Sequence, residues 1–145
     1  MRLRAAVATL AFAASAAAAA DFRSVEENAA VLYDAPSRAA TRLFVVSRYY
    51  PLEVIVNLEA WMKVRDHTGA LAWIEAKAFG ARRMVLVTGA TAEARVRPDE
   101  GAPLAFVAAQ NVALELVEIA PAGWLRVRAA DGADGYVRAS QVWGT

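Results

Sequence analysis

The chain has 145 residues, with 16 Lys and Arg against 15 Asp and Glu, a single His and no Cys, for a formal net charge of +1. A balance this close to neutral excludes a nucleic-acid binder that works through a basic surface. Without Cys there are no disulfides and no thiolate metal or nucleophile sites, so packing alone must hold the fold. Met1-Arg2-Leu3-Arg4 is a positive start, Ala5 to Ala14 with Leu10 and Phe12 is an apolar stretch, and Ala18-Ala19-Ala20 supplies small residues for a peptidase. Residues 1–20 therefore read as an export signal cleaved after Ala20. The apolar run is shorter and weaker than the roughly 20 residues a membrane span needs, and no Cys follows it to carry a lipid. Removing Arg2 and Arg4 leaves 14 basic against 15 acidic residues, a net charge of −1 on the exported chain.

After Ala20, the polar stretch Asp21 to Asn28, with Phe22 and Val25 as its apolar points, predicts an entry strand and loop. Ala30 to Asp34 predicts a strand that stops at Ala35-Pro36-Ser37, a turn signal continued by the charges from Arg38 to Arg42. Leu43-Phe44-Val45-Val46 is a short apolar strand, interrupted at Ser47-Arg48-Tyr49-Tyr50-Pro51. Leu52 to Leu58 is rich in β-branched residues and starts in alternation, which favours a sheet over a helix.

The stretch WMKVRDHTGALAWIEAKAF from Trp61 to Phe79 then recurs 63 residues later as WLRVRAADGADGYVRASQV from Trp124 to Val142. Trp61 falls on Trp124, Val64 on Val127, Gly69 on Gly132 and Trp73 on Tyr136, which is the pattern of a duplicated β-hairpin. Earlier blocks also correspond, Phe44-Val45 with Phe106-Val107 and Leu52-Glu53-Val54 with Leu114-Glu115-Leu116. The loop from Leu32 to Pro36 aligns with that from Arg95 to Gly101. Residues 80–83 join the copies. Two all-β units are expected, residues 21–79 and 84–145, each a small β-barrel of short strands. The connection is short, so a shared interface is expected.

Leu32-Tyr33-Asp34-Ala35-Pro36-Ser37 and Val96-Arg97-Pro98, the Trp blocks Ala60-Trp61-Met62-Lys63-Val64 and Gly123-Trp124-Leu125-Arg126-Val127, and the closing blocks Ala72-Trp73-Ile74 and Gly135-Tyr136-Val137 resemble the bacterial SH3-like domain family over about residues 22–143. The resemblance implies two tandem SH3-like barrels and a ligand surface that is aromatic and lies between the first loop and the hairpin. Ala60 and Ala72 stand where Gly is usual in that family.

Period-2 alternation puts Met62, Val64 and Ile74 inward and Trp61, Lys63, Arg65 and Trp73 outward, with Leu125, Val127 and Val137 repeating the inward set. A five-residue loop, Asp66–Ala70 or Ala129–Ala133, pairs Met62 with Ile74 and Leu125 with Val137, and sets Arg128 across from Asp134. The expected cores are Leu32, Phe44, Val54, Met62, Val64 and Ile74 in the first unit, and Val96, Phe106, Leu116, Leu125, Val127 and Val137 in the second.

His67 sits in a polar loop with Ala130 as its counterpart, so a turn residue is favoured over a catalyst, and no His or Cys cluster suggests a metal. No catalytic residue, metal or cofactor is expected. The candidate ligand-binding residues are Tyr33, Tyr49, Tyr50, Trp61, Lys63 and Trp73 in the first unit and Trp124 and Tyr136 in the second. The rings would stack on a peptide or sugar and Lys63 or Arg65 would meet a carboxylate. The competing reading lays Trp61 and Trp124 flat on their neighbours as structural cover. The sequence thus points to a periplasmic or secreted, non-catalytic binding module for cell-wall peptide or glycan, or to a scaffold for another periplasmic protein, with no nucleic-acid partner and no membrane anchor after cleavage.

Overall fold

The computed structural model describes residues 18–145. Most of the segment read as an export signal lies outside the described residues. Residues 18–20 are exposed, without regular structure, and lead into β1 (Asp21–Val25). The first unit continues with β2 (Ala29–Tyr33), β3 (Arg42–Ser47), β4 (Pro51–Asn57), β5 (Trp61–Arg65), β6 (Leu71–Glu75), a 3₁₀ turn at Ala76–Ala78 and β7 (Phe79–Gly80). The second repeats it as β8 (Met84–Val87), β9 (Thr91–Arg95), β10 (Leu104–Ala109), β11 (Ala113–Ala120), β12 (Trp124–Arg128), β13 (Asp134–Arg138), a 3₁₀ turn at Ala139–Gln141 and β14 (Val142–Trp143), with an added 3₁₀ turn at Pro121–Gly123. Strand order is β3-β2-β6-β5-β4-β1-β7 in one sheet and β10-β9-β13-β12-β11-β8-β14 in the other, element for element the same. The protein is all-β, two SH3-like barrels in tandem.

The hairpin that recurs in the sequence is the centre of each sheet. Met62 pairs with Ile74 and Leu125 with Val137, and Arg128 faces Asp134, as the alternation predicts. The register is set by the loop, in which Gly69 and Gly132 both take φ +90°, a conformation that costs a side-chain-bearing residue. Asp66 stiffens the first loop, its Oδ1 accepting from the backbone N–H of Thr68 (2.9 Å) and of Ala70 (3.0 Å).

The first core gathers Val25, Leu32, Leu52, Met62, Val64 and Ile74; the second gathers Val85, Val87, Leu114, Leu125, Val127 and Val137. Each such side chain stabilises by about 1.5–3 kcal/mol on burial. Val54, Phe106 and Leu116 pack against these cores while half-buried.

Two expected core residues are exposed. Val96 is 46% exposed because the strand-to-loop register lies elsewhere: Tyr33 pairs with Trp73 and Arg95 with Tyr136, so Val96 answers to the loop residue Asp34 and Ala94, not Val96, answers to Leu32. Phe44 is 47% exposed although Phe106, its counterpart, is tucked in. The reason is volume. Phe106 lies on Gly135, where a Cβ would come 3.3 Å from its ring and 2.8 Å from Ala94 Cβ. In the first barrel Ala72 and Leu32 fill those two places, and the ring on edge strand β3 has no room to enter.

The two barrels pack on one another. Ser24, buried on β1, accepts a hydrogen bond on Oγ from the Met84 backbone N–H (3.0 Å). Phe22 meets Trp143 edge to face with centroids 4.9 Å apart. Gly144 of the second barrel comes up against Pro51 of the first, where an added Cβ would sit 3.4 Å from Pro51 Cβ. The expected shared interface is present.

Candidate functional site

On the outer face of the first barrel, β2, β5 and β6 bring Tyr33, Trp61, Lys63, Trp73 and Glu75 to one surface, because residues two apart on a strand share a face and cross-strand pairing sets Lys63 against Trp73, Trp61 against Glu75 and Tyr33 against Trp73. Tyr33 is 7% exposed and meets Trp61 edge to face at 5.5 Å. Trp61, Lys63 and Trp73 are half-buried, each with a side open to solvent. Arg38 reaches from the loop between β2 and β3, donating from Nε and Nη2 to Glu75 Oε1 (2.6 Å) and Oε2 (2.8 Å), a bidentate pair that ties the loop beside the aromatic surface. Those bonds hold the Glu75 carboxyl below the usual carboxylate range against the opposing effect of desolvation, and Lys77 adds to the effect. Neither Arg38 nor Glu75 stood out in the sequence.

The second barrel carries the same construction with its charges exchanged. Arg138 stands at the place of Glu75 and Glu100 at the place of Arg38, with Arg138 Nη2 donating to Glu100 Oε1 at 2.7 Å. The two pairs span 37 and 38 residues respectively. This reciprocal swap is the sequence signal for both pairs, since Glu75 aligns with Arg138 and Arg38 with Glu100. Arg138 also lies over Trp124, 4.1 Å from the ring centroid, and donates to the Ala122 carbonyl (3.2 Å). Trp124 is thereby covered and only 5% exposed.

Charge separates the faces further. Arg126, the counterpart of Lys63, donates to Asp134 Oδ2 (3.0 Å), and Arg128 donates to Asp134 Oδ1 (2.9 Å). These bonds, Arg128's first, hold Asp134 below its ordinary range against desolvation. The residue at the place of Asp134 in the first barrel is Leu71, and Lys63 has no ion-pair partner among the described residues. The first face sets Arg38, Lys63, Arg65 and Lys77 against Glu53 and Glu75; the second sets Arg95, Arg126, Arg128 and Arg138 against Glu93, Glu100, Glu115 and Asp134. The second set is balanced; the first, which also has Glu27 beside Tyr33, Glu75 and Lys77, leaves Lys63 without an acidic partner among the described residues. Tyr136 sits half-buried on the balanced face, across from Arg95 and Arg126.

Tyr49 and Tyr50 are not brought to this surface. They occupy the turn after β3, at the junction of the barrels. The Tyr50 hydroxyl is hydrogen-bonded to His67 Nδ1, and His67 in turn lies 6.5 Å from Trp143, ring centroid to ring centroid. Burial pushes the Tyr50 phenol up, and the negative charge of Asp66 adds to it. Tyr49 lines a cleft with Arg82 and Met84.

Among curated proteins none matches this chain. Solved structures similar to it include NlpC2 from Trichomonas vaginalis, at 12% identity over 88% of this chain and 49% of that one, with a TM-score of 0.41. NlpC1 from the same organism gives 14% identity, 94% and 51% coverage, and a TM-score of 0.41. An NLPC/P60 family protein from Bacillus cereus gives 17% identity, 85% and 56% coverage, and a TM-score of 0.39. The chain spans about half the length of these structures. Compared with known families, residues 26–78 and residues 88–144 each match the bacterial SH3 domain, and the chain belongs to that family in two tandem copies.

Proposed function

We propose that this chain is an exported, non-catalytic binding module that acts in the periplasm or outside the cell and recognises carboxylate-bearing cell-wall peptide or glycan through the first barrel. Lys63 carries the reading. It is a cation with no ion-pair partner among the described residues, on the same strand face as Trp61 and directly across from Trp73, at the position where the second barrel neutralises Arg126 with Asp134. Trp61 and Trp73 supply flat apolar area at small entropic cost, and Lys63 supplies the charge that a carboxylate seeks. In the second barrel Arg138 already covers Trp124, which suits a supporting role. The first twenty residues support export.

Co-sedimentation of the purified chain with isolated sacculi tests this. Wild type pellets with the sacculi, and Trp61→Ala and Lys63→Gln remain in the supernatant while melting near wild type. Wild-type protein that stays soluble contradicts the reading.

A second reading, a scaffold for another periplasmic protein, is favoured by β3. This edge strand exposes Leu43, Phe44 and Val45, an apolar edge of the kind that extended chains add to. Retention of a partner protein from the same extract, lost on Val45→Lys and kept on Trp61→Ala, identifies that case.

A further inference from the structure

A second site lies between the barrels. Tyr49 takes φ +72° and Asn111, its counterpart, takes φ +66°; their backbone N–H groups donate to equivalent carbonyls, Val25 (2.7 Å) and Val87 (2.8 Å). The turn demands left-handed backbone, which Asn tolerates and a bulky aromatic does not. The first barrel nevertheless places Tyr there. Strain held at one residue, with an unstrained alternative in the same chain, marks a side chain kept for what it touches.

Tyr49 touches two guanidinium groups and a cleft. The Arg48 and Arg82 guanidinium carbons lie 5.0 and 5.3 Å from its ring centroid. Arg48 is paired with Glu26, whose carboxylate Arg82 also stabilises through space; Arg82 makes no direct ion pair among the described residues and one long hydrogen bond, 3.4 Å, to the Tyr49 hydroxyl. The cleft holds about 240 Å³, with Met84, Ala113 and Ala129 as apolar lining and the paired Glu115 and Arg128 beside Met84. Arg128 is already met by Asp134 and Glu115, so Arg82 is the cation left open to an anion.

We infer that this cleft binds the carboxylate end of a short peptide, with Arg82 and the Tyr49 hydroxyl holding the carboxylate and the Met84–Ala113–Ala129 wall taking a small apolar side chain. The site is separate from the Trp61 face and does not depend on the function proposed for it. An Arg–carboxylate pair beside a phenol donor is a strong recognition element, and the cleft volume suits one or two small residues.

The test is a backbone-amide NMR titration of the whole chain with three probes: N-acetyl-Ala-Ala as the free acid, its C-terminal amide, and N-acetyl-Asp amide. The free acid is expected to shift Arg82, Met84, Ala129 and Gly132, and the neutral amide to shift none of them. Acetyl-Asp amide separates a side-chain carboxylate from a chain terminus, and a response at least about tenfold weaker than that of the free acid is expected. Arg82→Gln should weaken free-acid binding by about tenfold or more, and Tyr49→Asn should weaken it while leaving the turn intact. Equal shifts from acid and amide, or full binding by Arg82→Gln, would overturn the assignment.

Discussion

Gly135→Ala tests the packing difference between the barrels. The new Cβ would lie 2.8 Å from Ala94 Cβ, 3.3 Å from the Arg95 carbonyl oxygen and 3.3 Å from the Phe106 ring. Carbon atoms in contact prefer about 3.5–4.0 Å, so β13 must move off β9 by several tenths of an ångström against a packed core. Overpacking of that kind costs about 1–3 kcal/mol. At about 4–8 °C per kcal/mol for a domain this size, the second barrel should melt about 4–24 °C lower. Thermal melts followed by near-ultraviolet circular dichroism, which reports the tertiary environment of Trp124, would record the change. Ala94→Gly removes the atom met first, so the double variant should be more stable than the sum of the single effects by about 1 kcal/mol or more. A Gly135→Ala protein melting within about 2 °C of wild type, or strictly additive variants, would refute the volume argument that also places Phe44 outside.

Trp124→Ala should lower stability by about 3–5 kcal/mol, since it removes a buried ring and the surface under Arg138, whereas Trp61→Ala should cost less than about 2 kcal/mol; side-by-side melts decide. Glu75 and Asp134 are both held below their unfolded values by arginine hydrogen bonds, so their contribution is present at neutral pH and is lost as pH falls from the unfolded values through the lower folded ones. Arg38→Gln together with Arg128→Gln should flatten that acid limb in a melt-versus-pH series; an unchanged limb contradicts the assignment. Protein recovered from the periplasm should have the intact mass of a chain starting at Asp21, and a mass retaining Met1 to Ala20 would mean a tether.

The duplicated hairpin was legible because its signals are local: alternation fixes which residues face in, and Gly69 and Gly132 fix the loop. Small core residues were not legible. Ala92 and Ala94 are fully buried, yet Ala marks no face of a strand, and the pattern drew the register to Val96 instead. Phe44 and Phe106 are the same residue in the same strand position, and only the contrast of Ala72 and Leu32 with Gly135 and Ala94 separates their fates. On the candidate site, Tyr33, Trp61, Lys63 and Trp73 follow from strand alternation and come together. Tyr49 and Tyr50 sit in a turn tied to Val25 by its own backbone hydrogen bonds, where strand alternation says nothing of side-chain direction. Trp124 was legible as outward-facing; its burial by Arg138 depends on an ion pair between residues 38 apart.

Binding through the first barrel requires an unneutralised Lys63. Leu71→Asp tests it directly, by installing on the first face the carboxylate that Asp134 supplies to Arg126 at 3.0 Å. Titration of soluble muropeptides into wild type, Leu71→Asp and Arg126→Gln, at two salt concentrations, is the measurement. Binding should weaken with salt, fall about threefold to tenfold in Leu71→Asp, and be unchanged in Arg126→Gln. Equal binding by wild type and Leu71→Asp, or a loss confined to Arg126→Gln, would contradict it.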